Sequence, residues 1–365
     1  MKRIDNLYDK IISVENLRRA DEKARRGKTH THGVQLHDAN RKANIMALHE
    51  ALQTQTFTTS EYSVFTIYEP KERLIYRLPY YPDRILHHAI MNVLEPIWVS
   101  VFPYNTYSCI KGRGIHGAMK RVKRIIRAYV EADRPLYCLK IDIRKYYPSI
   151  PHASMKRIVR RKIKCERTLW LIDNIIDSIN GSPDPSDNTK VCDGHSLPIG
   201  NYLSQFLANL FLAYLVHRII EEFPEVDNVW YADDGTFFSD DKELLRRVKE
   251  FVDVELQRLG VRMKDNWQIF PIAENHYDRK GRGLDFLGFV FYRNQTLIRK
   301  STKKNFCRAA ARLNRRRKPL SQADYKTGIC SWLGWAKYSN SQHLLKTIIK
   351  PQYQNGILRR KALNV

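Results

Sequence analysis

Late in the chain, two apolar runs flank an acidic corner: Val229-Trp230-Tyr231-Ala232, then Asp233-Asp234-Gly235, then Thr236-Phe237-Phe238. Aromatic and β-branched residues on either side of turn-forming residues dictate a strand, a tight turn and a strand. Asp-Gly between apolar runs is by itself an ordinary hairpin signal. The second acid is less ordinary, because two carboxylates within ~4 Å repel by roughly 1 to 4 kcal/mol, depending on the local dielectric. A cation would relieve that repulsion.

A third acid ends a run that otherwise reads as a buried strand, Tyr137-Cys138-Leu139-Lys140-Ile141-Asp142-Ile143. A carboxylate is out of place there unless it has a partner. Three such oxygen ligands suit hard Mg²⁺. A pair of ions ~4 Å apart would activate a 3′-hydroxyl and stabilise the leaving pyrophosphate of an in-line phosphoryl transfer. Asp142, Asp233 and Asp234 are therefore the candidate catalytic residues, and that chemistry needs no histidine.

The charge balance points to a substrate of matching kind. Lys and Arg number 63 against 38 Asp and Glu, a formal charge of +25 that implies a polyanionic partner. The longest apolar stretch, around 210–216, falls short of the ~18 residues a membrane span needs. The N-terminus begins Met1-Lys2-Arg3-Ile4-Asp5 with no apolar core after it, so neither membrane insertion nor export is expected. The six cysteines lie far apart with no Cys-x-x-Cys pair, which suits free thiols in a reducing cytoplasm. His30 and His32 lack a third ligand and read as solvated.

With 43% hydrophobic residues over 365 positions, two or three packed subdomains are expected. Residues 1–60 are polar and basic, and read as two helices around a loop at Gly27-Lys28 and His30-Thr31-His32-Gly33. Residues 64–68 and 74–78 read as a hairpin about a 69–71 turn, followed by a helix over 84–101. The run from Gly112 to Gly117 reads as a flexible basic loop, and the residues after it as a basic helix. A loop is expected over 180–198, an apolar helix over 200–219, a helix over 243–259 ended by Gly260, and a strand over 284–291. Residues 299–318 hold ten Lys or Arg and no acid, and Arg308, Arg312, Arg315 and Arg316 are spaced to share a helical face. A helical C-terminal domain is placed from residue 299.

Several runs resemble reverse transcriptases. Lys140-Ile141-Asp142-Ile143-Arg144-Lys145-Tyr146-Tyr147 looks like the first palm motif of that family, and Tyr231-Ala232-Asp233-Asp234 like its YxDD motif. Leu78-Pro79-Tyr80-Tyr81-Pro82-Asp83-Arg84, Leu94-Glu95-Pro96-Ile97 and Gly112-Arg113-Gly114 are similar to the fingers motifs of the bacterial enzymes. Phe286-Leu287-Gly288-Phe289 resembles the primer grip, and Trp332-Leu333-Gly334-Trp335 the thumb.

The resemblance implies an α+β right-hand polymerase. It would have a helical N-terminal extension (1–60), fingers and an antiparallel palm sheet (61–298), and a helical basic thumb (299–365). It implies two Mg²⁺ ions, with Mn²⁺ as an alternative, held at Asp142, Ile143, Asp233 and Asp234. Tyr147 would pack on the nucleotide sugar and disfavour a 2′-hydroxyl. Arg73 or Arg77 would clamp the triphosphate, and Gly200 and Gln205 would lie against the nucleotide. Arg308, Arg312, Arg315 and Arg316 would hold nucleic acid. The lysine often proposed as general acid is not clearly placed, and Lys264 is the nearest candidate.

Ile199-Gly200-Asn201-Tyr202-Leu203-Ser204-Gln205 narrows the likeness. Most bacterial reverse transcriptases, including group II intron and retron enzymes, have Gln-Gly at its start and Ser-Pro at its end. Ile199-Gly200 with Ser204-Gln205 is the form found in diversity-generating retroelements. That resemblance implies a cytoplasmic, bacterial or phage-encoded enzyme with no added endonuclease or maturase region. Its partners would be deoxynucleotide triphosphates, a retroelement template RNA, the RNA/cDNA duplex, and a small, basic, oligomeric accessory protein. Copying would be error-prone at template adenines. Two alternatives stay open: a group II intron-type, retron or antiphage reverse transcriptase without adenine bias, and a noncatalytic RNA-binding protein.

Overall fold

The computed structural model describes residues 2–68, 72–179 and 194–358, so the 69–71 turn and most of the 180–198 loop lie outside the described residues. The N-terminal region holds four helices where two were expected: Tyr8–Ile12 (α1), Val14–Ala24 (α2), His32–Ala39 (α3) and Arg41–Gln53 (α4). Ser13 divides the first pair, since its Oγ accepts the Asn16 N–H and caps α2. Asn40, at φ −133, divides the second pair.

Ser63–Ile67 (β1) and Arg73–Arg77 (β2) form the expected antiparallel hairpin, with Ser63 opposite Arg77. A corner at residues 80–84 then feeds Ile85–Val99 (α5). Asp21 of α2, fully buried, ties that corner down by accepting from Tyr80 Oη at 2.5 Å and Arg41 Nε at 2.6 Å. A buried carboxylate is tolerable only with partners of this kind.

The expected 112–117 loop is shorter than the glycines suggest, because Gly114–Glu131 (α6) starts inside it. Then follow Tyr137–Asp142 (β3), Tyr146–Ser149 (α7), His152–Arg160 (α8), Glu166–Asp177 (α9) and Tyr202–Glu222 (α10). By length and apolarity α10 could cross a membrane, a possibility the 210–216 stretch alone did not suggest, yet 72% of its 18-residue apolar span is buried within the protein. It is the central core helix, with Leu203, Phe206, Leu207, Leu210 and Phe211 all enclosed.

Asp227–Tyr231 (β4) and Asp234–Ser239 (β5) form the acidic hairpin, followed by Lys242–Leu259 (α11) and Gln268–Pro271 (β6). The sheet runs β4-β5-β3-β6, antiparallel at each pairing. Successive residues of β3 serve opposite faces, as a strand requires. Leu139 and Ile141 enter one core with Phe237, Val248 and Val252. Cys138 enters another with Val229, Phe238, Val122 and Ile126. Each fully buried Ile, Val or Phe contributes roughly 1.5 to 3 kcal/mol, so β3 is fixed from both sides.

The expected strand over 284–291 is instead a hairpin, Leu284–Phe286 (β7) and Phe289–Phe291 (β8), joined to Thr296–Ile298 (β9). Leu287 (φ 53) and Gly288 (φ 82) make a two-residue turn that apolar patterning hid. Four helices close the described chain: Lys300–Asn314 (α12), Gln322–Lys337 (α13), Gln342–Ile348 (α14) and Pro351–Leu358 (α15). Phe306, Tyr325, Ile329, Ile349 and Tyr353 form their own core. Trp335 of α13 packs against both this core and the one under β7–β8.

Candidate active site

Register brings the acids together. Asp142, the last residue of β3, pairs with Asp234, the first of β5, and Asp234 in turn pairs with Tyr231 of β4. The turn of the acidic hairpin is therefore Ala232-Asp233, one step before the Asp-Gly corner that its sequence advertises. Ala232 takes the left-handed conformation at φ 54, which costs about 1 kcal/mol or more for a residue with a side chain. Gly235 is needed for packing instead, since a Cβ there would meet Ile141 Cγ1 at 3.0 Å and the Trp230 ring at 3.1 Å.

The electrostatics of the cluster are those of crowded acids. The Asp233 carboxyl is pushed up to about 6, first by burial and then by the charges of Asp234 and Asp142. Asp234 is also raised by burial, although Lys140, Lys264 and Arg299 pull the other way. Asp142 Oδ2 accepts from Lys264 Nζ at 2.5 Å, and its Oδ1 is buried with no hydrogen-bond partner.

As the side chains stand, no three His, Cys, Asp or Glu groups among the described residues form a ready metal cage. The donor set still fits a hard divalent ion: three carboxylates at one sheet end, an idle buried oxygen on Asp142, and repulsion that a cation would remove. Ile143 could contribute only its carbonyl, because its hydrocarbon side chain has no donor atom and is buried in the core.

The other residues singled out by sequence fall into distinct places. Tyr147 is half-buried beside Tyr146, with ring centroids 5.6 Å apart, and its hydroxyl is raised by burial with Asp233 and Arg73 nearby. Arg73, at the start of β2, thus lies near Tyr147, whereas Arg77 at the far end of the strand lies beside Arg84. Gly200, at φ +120, owes its glycine to protein: a Cβ would sit 2.8 Å from the Tyr76 carbonyl. Ser204 is buried, and Gln205 is exposed on an otherwise enclosed stretch of α10.

Arg308 and Arg312 are exposed on α12, but the helix stops at Asn314. Arg315 caps it and Arg316 lies beyond, so the single helical face expected for all four is limited to the first two. Two further basic residues, Lys140 and Arg299, approach the acids closely enough to act on Asp234. Lys140 Nζ donates to the Asp285 carbonyl at 2.7 Å, and Arg299 pairs with the Asp285 carboxylate at 2.5 Å. Lys140 was findable, since two residues before Asp142 on one strand is the same face. Arg299 depends on the β7–β9 chain path.

Residues 69–291 match the family described as "Reverse transcriptase (RNA-dependent DNA polymerase)". Over 158 residues the chain is 28% identical to Protein YkfC of Escherichia coli (strain K12), covering 42% of this chain and 40% of that protein. The chain thus spans less than half the length of that curated relative. Among solved structures, apo telomerase from Candida tropicalis superposes with a TM-score of 0.51 at 10% identity, over 79% of this chain and 57% of that one. At such identity the likeness shows the fold alone: mixed helices and antiparallel sheets in the right-hand polymerase arrangement, as expected.

Proposed function

Because the chain belongs to the reverse transcriptase (RNA-dependent DNA polymerase) family, we propose that it copies an RNA template into DNA at Asp142, Asp233 and Asp234. The observation that carries this reading is the β3–β5 register, which puts Asp142 opposite Asp234 with Asp233 on the adjoining turn. Divalent ions bound there would polarise the 3′-hydroxyl and neutralise the pyrophosphate. The chain's own part is to gather the carboxylates by strand pairing, to present Arg73 to the triphosphate, and to set Tyr147 against the sugar.

Residues 299–365 are proposed as the thumb, and exposed Arg308 and Arg312 as contacts to the template–cDNA duplex. Ile199, Gly200, Ser204 and Gln205 favour membership of the diversity-generating group, with adenine-biased errors and a small basic accessory protein. Primer extension on an RNA template with Mg²⁺ and deoxynucleotides tests the central reading. Native chain should extend the primer and Asp233→Asn should not; full activity in the variant would remove the carboxylate assignment.

A further inference from the structure

The segment after α11 runs back along β3 with a slip in register. Met263 bridges Ile143, while Gln268 pairs with Lys140. Four residues, 264–267, therefore stand opposite two, Ile141 and Asp142. An excess of residues on one strand bulges outward and re-aims side chains. Lys264 is the first residue of that bulge.

Its backbone leaves it little choice of partner. The Lys264 N–H donates to the Asp142 carbonyl at 2.8 Å, and one step back along the ladder the Arg144 N–H donates to the Arg262 carbonyl at 2.8 Å. Gly260, at φ +86, ends α11 and starts the return. The ammonium then reaches Asp142 Oδ2 at 2.5 Å, leaving Oδ1 idle. The Lys264 side chain is 32% exposed, so it has water on one side into which it can withdraw.

We propose that Lys264 is a positioning residue that stands in for a divalent cation at Asp142, holding that carboxylate until an ion displaces the ammonium. The inference rests on the reading of the three aspartates as a divalent-ion site. An ammonium carries one charge and reaches one of the acids, whereas a divalent ion carries two and can draw on all three. The ion must displace a tethered competitor, so Lys264 lowers the site's affinity while relieving the acids before an ion arrives.

The test is Mn²⁺ binding to the full chain without nucleic acid, followed by the ion's magnetic resonance signal, with thermal melts run with and without Mg²⁺. Lys264→Met should bind Mn²⁺ about fivefold more tightly, the change expected for loss of one partly exposed ion pair. It should also melt lower without ions and gain more from Mg²⁺ than the native chain. Lys264→Arg, which keeps the charge, should bind no more tightly than native. Should the methionine variant fail to fold, Lys264→Gln serves the same comparison. Unchanged or weaker binding in Lys264→Met, with binding lost in Asp142→Asn, overturns the proposal and leaves the divalent site standing. Binding that survives both Asp142→Asn and Asp233→Asn overturns the site and the proposal with it.

Discussion

Tyr76 donates its backbone N–H to the carbonyl oxygen of Ile199 at 2.8 Å, tying strand β2 to the segment that enters α10. Gly200 lies against the same strand, with no room for a Cβ beside the Tyr76 carbonyl and a φ of +120. A side chain must push β2 away or break the Tyr76 bond. Gly200→Ala should therefore lower stability by about 1 to 3 kcal/mol. It should also raise the KM for deoxynucleotides, because β2 carries Arg73. Thermal melts and steady-state primer extension measure both, and an unshifted melting temperature would count against strand docking.

The same junction offers a test of fidelity. Position 205 is the fourth residue of α10, so proline there forfeits only the first intrahelical bond, to the Asn201 carbonyl, and its side chain is exposed. Ile199→Gln combined with Gln205→Pro should leave the helix folded and reduce misincorporation opposite template adenine. Sequencing of cDNA made in vitro by the two proteins gives the comparison. A uniform, low error rate in the native chain would dismiss the adenine-biased reading.

Burial of Asp233, with the crowding of its neighbouring acids, makes a prediction about pH. Asp233 titrates near 6 in the folded chain against 3.8 ordinarily, so between those values the folded state holds more protons than the unfolded state. Stability gained from that proton is full below about 4 and is lost as pH rises through about 6. The contribution is on the order of 1 to 3 kcal/mol, allowing for partial exposure. Without divalent ions, Asp233→Asn should then be more stable than native above pH 7, and the difference should vanish by pH 4. Denaturant titrations across that range decide it, and a pH-independent difference would refute the raised Asp233 titration.

Much of this site was legible because β3 and β4–β5 are apolar enough to be strands whatever surrounds them. Acids at their ends, at Asp142 and Asp233-Asp234, then stand out against the pattern. Register was not legible. That Asp142 faces Asp234 depends on pairing between distant segments, whereas the turn at Ala232 and the packing of Gly235 on Trp230 follow from the register of the β4–β5 hairpin, which the Asp-Gly signal misplaces by one residue. The Leu287-Gly288 turn was hidden for a different reason, since leucine at positive φ gives no local signal. The break between α1 and α2 did have a signal in Ser13, three residues before Asn16, which a charged and weakly periodic stretch obscured.

Gly288 and Trp335 meet where the β7–β8 turn touches α13. A Cβ on Gly288 would lie 2.4 Å from the Trp335 ring, at a φ of +82 that disfavours side chains. Trp335 also packs on Phe289 with centroids 5.1 Å apart. Gly288→Ala should displace the indole and loosen α12–α15 from the sheet, at a cost of about 1 to 3 kcal/mol. Primer extension with excess unlabelled duplex as a trap should show shorter products, with the rate of the first nucleotide addition much less affected. Equal losses in both would place the defect at the carboxylates and not at the grip on the duplex.

Tyr147 poses the sharpest choice between packing and selection. Its carbonyl accepts the Leu197 N–H at 2.9 Å, its ring sits edge-on to buried Tyr146, and it lies close enough to feel the Asp233 charge. A ring held this firmly near Asp233 is suited to the sugar-facing role proposed for it. Tyr147→Ala should raise ribonucleotide use relative to deoxynucleotide by roughly tenfold or more. Tyr147→Phe keeps the ring and should discriminate as the native chain does. Competitive incorporation of ribo- and deoxynucleotides supplies the ratio, and melting curves report the packing loss separately. If the alanine variant melts lower yet discriminates as before, Tyr147 belongs to the core alone and selection against ribose must come from another residue near Asp233.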